Sequence, residues 1–65
     1  MIKVTDKMLK NFLKIMDEYD EFVFGDNKYL KKQLETCLNT QGYWAGCNIK
    51  VVCDKDNNFR VLSRF

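Results

Sequence analysis

Histidine and proline are absent from this 65-residue chain, glycine occurs three times, and Ser63 is the sole serine. Without histidine there is no Cys–His or Ser–His pair for nucleophilic catalysis. Carboxylate pairs remain in Asp17-Glu18 and Asp20-Glu21, but side chains adjacent on a helix point apart. A phosphate cradle needs a glycine-rich loop at a helix start. Gly25-Asp26-Asn27 offers one glycine, beside an acid that repels anions. These absences leave no catalytic residue to nominate and predict a protein that is not an enzyme.

Metal ligands are equally sparse. Cys37, Cys47 and Cys53 are separated by nine and then five residues, with no CxxC. A structural zinc site draws on four closely grouped cysteines or histidines. On one extended strand Cys47 and Cys53 would share a face but sit about 20 Å apart, at ~3.3 Å per residue. No metal and no cofactor is therefore expected, and the thiols read as small apolar residues of the interior.

Long hydrophobic runs are missing too. Nothing approaches the roughly 20 apolar residues of a membrane span. Lys7, Lys10 and Lys14 interrupt the early segment where a secretory signal needs continuous apolar residues. An odd cysteine count without such a signal points to reduced thiols, so a cytoplasmic location with no membrane partner is expected.

What is present is a core. Hydrophobic residues make up 46% of the chain and aromatics 14%, which separates it from disordered compositions. Residues 1–65 are expected to form one domain. Chains this short bury only roughly 60% of their unfolded surface, so a second subunit is a common supplement. The net charge of +2 is distributed in bands. Lys3, Lys7, Lys10 and Lys14 face only Asp6 in the first stretch, Asp17, Glu18, Asp20, Glu21 and Asp26 follow, and Lys28, Lys31, Lys32 and Lys50 then stand against Glu35.

The spacing predicts an α+β fold with two amphipathic helices packed on one face of a C-terminal antiparallel β-hairpin. Met1–Val4 reads equally as a short N-terminal strand or as an arm, giving ααββ or βααββ. Thr5 is placed to cap a first helix carrying Met8, Phe12, Ile15, Met16 and Tyr19 at steps of three and four. Its end is open. It runs through Phe22 and Val23 to Gly25, or it stops within the acidic cluster that opposes its dipole. Asp26 or Asn27 caps a second helix with Leu30, Leu34, Cys37 and Leu38 on its buried stripe, ending at Gly42.

From Tyr43 to Asp54 the period changes to two, which predicts one long strand. Its odd positions Tyr43, Ala45, Cys47, Ile49, Val51 and Cys53 would face inward. Asp54 to Asn58 is a turn, and Phe59–Phe65 returns. Pairing Cys53 with Phe59 sets Val51 against Val61, Ile49 against Ser63 and Lys50 against Leu62. A loop of Lys55, Asp56 and Asn57 then closes the hairpin, with Asn57 left-handed. A two-residue turn would pair Val51 with Leu62 and mix the faces.

That register places Trp44, Lys50, Val52, Arg60, Leu62 and Arg64 on the outer face of the hairpin. Aromatic, aliphatic and arginine side chains together have the composition of a protein interface. The plain alternative is that Trp44 folds into the core. The acidic patch of Asp17, Glu18, Asp20 and Glu21 either solubilises a helix end or docks on a basic partner. Lys7, Lys10, Lys14, Lys28, Lys31 and Lys32 could meet phosphates, although nine of the eleven basic residues are lysines and base readout favours arginine. Unpaired strand edges make homodimerisation through the sheet edge a further expectation.

The expectation is thus a small protein-interaction module that binds and inhibits a partner. Its size and its Lys/Asn-rich composition fit an accessory protein of a phage or mobile element acting on a host protein. The alternatives are a nucleic-acid-binding regulator and a structural subunit of a larger assembly.

Overall fold

The computed structural model describes residues 1–64. In chain order it contains α1 (Asp6–Glu18), α2 (Asn27–Thr40), β1 (Trp44–Ala45), β2 (Ile49–Cys53) and β3 (Phe59–Arg64). The strands form one antiparallel sheet in the order β1-β2-β3. Two helices followed by this sheet make the expected α+β arrangement, with three strands rather than a hairpin.

Local chemistry sets the helix boundaries. The Thr5 hydroxyl accepts from the Met8 amide at 3.2 Å, and the Asp26 carboxylate accepts from the Tyr29 amide at 2.8 Å. Both caps satisfy donors that the first helical turn leaves unpaired. At the other end of α1 the chain closes without glycine. Tyr19 is the C-cap and Asp20 is left-handed, with φ 53°. The Asp20 amide donates to the Asp17 carbonyl and the Glu21 amide to the Met16 carbonyl. This is the paired closure of a Schellman motif, with Asp where glycine is usual. Of the two ends left open by the sequence, α1 takes the earlier one.

The N-terminal arm is not a strand. It is clipped to α2 by side chains. Asn39 accepts from the Ile2 amide and donates to the Ile2 carbonyl, and Glu35 accepts from the Val4 amide at 2.8 Å. Val4 thereby enters the core. Lys31 and Asp6 join the two helices at 2.7 Å, and this cation holds the Asp6 carboxyl below its usual range.

Two corrections concern the sheet. The long strand anticipated over 43–54 is broken by a turn at Gly46, Cys47 and Asn48, so β1 folds back on β2. Trp44 pairs with Val51 and therefore shares its inner face. It is buried, its ring meets Phe12 edge-on at 5.0 Å, and its indole nitrogen reaches Gln33. The β2–β3 register holds at the turn end, with Cys53 opposite Phe59, Val52 opposite Arg60 and Val51 opposite Val61. Asn57 is left-handed as expected, with φ 63°. Beyond Val61 a bulge shifts the pairing, so Lys50 opposes Ser63 and Ile49 opposes Arg64. The anticipated Lys50–Leu62 and Ile49–Ser63 pairs do not form.

Both helices cover the same side of the sheet. Phe12, Leu34, Ile49 and Val51 are the most deeply buried side chains, with Phe59 edge-on to Phe12 at 5.7 Å. Cys37 is half-buried beside Leu34 and Leu38 rather than part of the fully buried stripe. Cys47 lies exposed in the β1–β2 turn, because the break in the strand carries it off the inner face.

Candidate functional site

The outer sheet face loses two of its expected members. Trp44 has left it for the core. Arg64, opposite Ile49, stands on the helix side, with its guanidinium 5.2 Å from the Tyr19 ring. Val52, Arg60, Leu62 and Lys50 remain outside. Tyr43 and Ala45 join them, since Ala45 pairs with Lys50 and Tyr43 lies diagonal to it. The Lys50 ammonium rests 4.6 Å over the Tyr43 ring. No helix covers this side. Leu62 is 55% exposed, and none of the three strands contains an acidic residue.

The acidic patch also divides. Asp17, Glu18 and Asp20 are exposed. Glu21 is the one buried polar or charged residue among those described, at 6% exposure. Its carboxylate accepts from the Asn48 amide and from the Asn48 side-chain nitrogen, both at 3.1 Å. It lies over Gly46, where a Cβ would strike this carboxylate and the Trp44 ring. Glu21 is therefore a clasp between the α1–α2 connection and the β1–β2 turn, and does not belong to a docking patch.

The clasp sets the direction of the next three side chains. Glu21 points inward, Phe22 is 70% exposed, Val23 packs against the core, and Phe24 is 74% exposed. Alternate residues of an extended segment point opposite ways, so anchoring residues 21 and 23 turns both phenylalanines outward. Their rings pack together with centroids 4.8 Å apart. Tyr29, 54% exposed, lies against Gly25 at the start of α2. The result is an aromatic knob flanked in sequence by Asp20 and Asp26, and residues 17–26 contain no cation. Sequence reasoning missed Phe22 and Phe24. Their alternation spans four residues and reads as well as a helical continuation. The available signal was two phenylalanines between the acidic run and Gly25.

The basic set is dispersed. Lys7, Lys10 and Lys14 are exposed on α1, and Lys28 and Lys32 are exposed on α2. Lys31 is committed to Asp6. Lys3 and Lys7 line a cleft of about 360 Å3 against the β2–β3 turn, but Asp56 stands in the same wall. Burial raises the Cys53 thiol pKa, and the neighbouring Asp54 carboxylate adds to that rise. Among the described residues, no three cysteine or carboxylate side chains converge as a metal set would, and no helix is long and apolar enough to cross a membrane.

Together these features define a small α+β scaffold that presents an aromatic knob and, on the side of the sheet away from the helices, a face carrying Lys50 and Arg60. The chain shows no significant match to any protein-family model, curated protein or solved structure.

Proposed function

We propose that this chain is a non-catalytic protein-binding module that inhibits a partner by occupying part of its surface, with Phe22 and Phe24 as the anchors. The observation that carries this reading is the inward anchoring of Glu21 and Val23, which holds two phenylalanines in solvent. Exposed large apolar groups on a small domain mark interaction sites, and buried aromatic anchors dominate binding energies. Because the clasp fixes the segment before contact, less ordering entropy is lost on binding. Asp20 and Asp26 beside the knob favour a partner whose apolar pocket is rimmed by cations, since complementary charge speeds and orients association. Val52, Arg60 and Leu62 on the outer sheet face supply a second contact zone. A cytoplasmic host protein is the target class that best matches a chain of this size and composition.

The test is affinity capture from host lysate with nuclease present. Wild-type chain should retain a discrete protein partner, Phe22→Ser/Phe24→Ser should lose it, and Lys10→Glu/Lys14→Glu should keep it. Loss of all bound protein on nuclease treatment, together with loss in the lysine variant, would replace this reading with nucleic-acid binding.

A further inference from the structure

We infer that the chain associates with itself head to tail, the aromatic knob of one copy seating on the outer sheet face of the next. This rests on the reading of Phe22 and Phe24 as a docking element and adds a second occupant for it. Two exposed surfaces on one molecule are complementary in both charge and polarity. The knob carries Phe22 and Phe24 within a stretch, residues 17–26, that has four exposed carboxylates, Asp17, Glu18, Asp20 and Asp26, and no cation. The sheet face presents Val52 and Leu62 between Lys50 and Arg60, on strands with no carboxylate. Its apolar centre matches two phenylalanine rings, and its flanking cations match Asp20 and Asp26.

Within one molecule the two surfaces do not satisfy each other, since Phe22, Phe24 and Leu62 all remain more than half exposed. The contact is heterologous. Each added copy leaves one knob and one face unused, so assembly continues as an open chain or a ring. Pairing through the β3 edge is a weaker route, because the bulge after Val61 interrupts the regular ladder that edge pairing requires. A protein partner that takes the knob competes with self-association, so free chain is stored in oligomers and released by its target.

Sedimentation velocity over a concentration series tests this with three proteins. Wild-type mass should rise above the monomer with concentration, and it should fall back as salt goes from about 50 to about 500 mM. Phe22→Ser/Phe24→Ser and Arg60→Glu/Leu62→Ser should each stay monomeric. An equimolar mixture of the two should give a species of twice the monomer mass and nothing larger, because one intact knob and one intact face remain. All four substitutions replace exposed side chains. Circular dichroism verifies the folds, and single Phe22→Ser and Arg60→Glu changes replace any double variant that loses structure. A monomeric wild type overturns the inference while leaving partner capture standing. So does a mixture that stays monomeric, or a variant that still self-associates alone.

Discussion

Replacing Glu21 with alanine tests the clasp on which both the fold and the knob depend. The substitution removes a carboxylate that is 6% exposed and accepts two hydrogen bonds from Asn48 at 3.1 Å. Hydrogen bonds to charged groups contribute about 1.5–3 kcal/mol each. Asn48 is exposed, so its freed donors regain water and the two contributions do not add in full. The expected loss is about 2–3 kcal/mol. A domain this small has roughly 3–5 kcal/mol in total, so most of its stability would be lost. At ~4–8 °C per kcal/mol the melting temperature should fall by about 10–20 °C. The single tryptophan, Trp44, is buried in the core, so its emission reports urea unfolding directly. Glu21→Gln keeps the shape and one acceptor oxygen, and should lose about 1 kcal/mol. Glu18→Ala removes an exposed acid from the negative end of α1 and should cost nothing. At temperatures where Glu21→Ala is still folded, amide exchange at residues 22–24 should be faster than in wild type. A Glu21→Ala protein within about 0.5 kcal/mol of wild type, or indistinguishable from Glu18→Ala, would refute the clasp.

Gly46→Ala should destabilise by about 1–3 kcal/mol through overpacking, because its Cβ meets the Glu21 carboxylate and the Trp44 ring. In a Glu21→Ala background much of that cost should vanish, and a double-mutant cycle by urea denaturation would show the coupling. Asp20→Gly should stabilise by about 1 kcal/mol, since it relieves a left-handed non-glycine residue and removes an acid next to a helix C-terminus. Thermal melts check the sign. Alkylation followed by mass spectrometry should label exposed Cys47 well before Cys53, whose thiol is half-buried and whose raised pKa leaves less thiolate at a given pH.

Features set by short-range chemistry were legible in the sequence. Thr5 and Asp26 cap their helices, the stripes of α1 and α2 face the core, and the β2–β3 turn has its left-handed Asn57. Each depends on a few adjacent residues whose preferences agree. The end of α1 was not legible, because its closing residue is Asp20, a tolerated left-handed residue rather than a glycine signal. The knob was hidden for a related reason. Which of Phe22 and Val23 faces inward depends on Glu21 reaching Asn48, a contact 27 residues away in sequence.

The two misplaced residues of the sheet face, Trp44 and Arg64, share one cause. Along a strand, odd and even positions take opposite faces, and this parity carries across a pair only while the register joins odd to odd. Cys53–Phe59 and Val51–Val61 satisfy that condition, so inward and outward positions near the β2–β3 turn follow directly from the sequence. The β1–β2 turn pairs Trp44 with Val51, even with odd, and everything before it changes sides. The bulge does the same to Arg64 by pairing it with Ile49. Neither event leaves a periodic trace, because a turn at Gly46-Cys47-Asn48 and an extra residue at the bulge each shift the count without altering which residues are apolar. The consequence for function is specific. The sheet face loses its one tryptophan and one of its two arginines, keeps Lys50, Val52, Arg60 and Leu62, and gains Tyr43 and Ala45. That remaining face is cationic and apolar but carries no large protruding anchor. Among the described residues Phe22 and Phe24, in the segment after α1, are the most exposed aromatic side chains, so the proposed interface takes its anchors there.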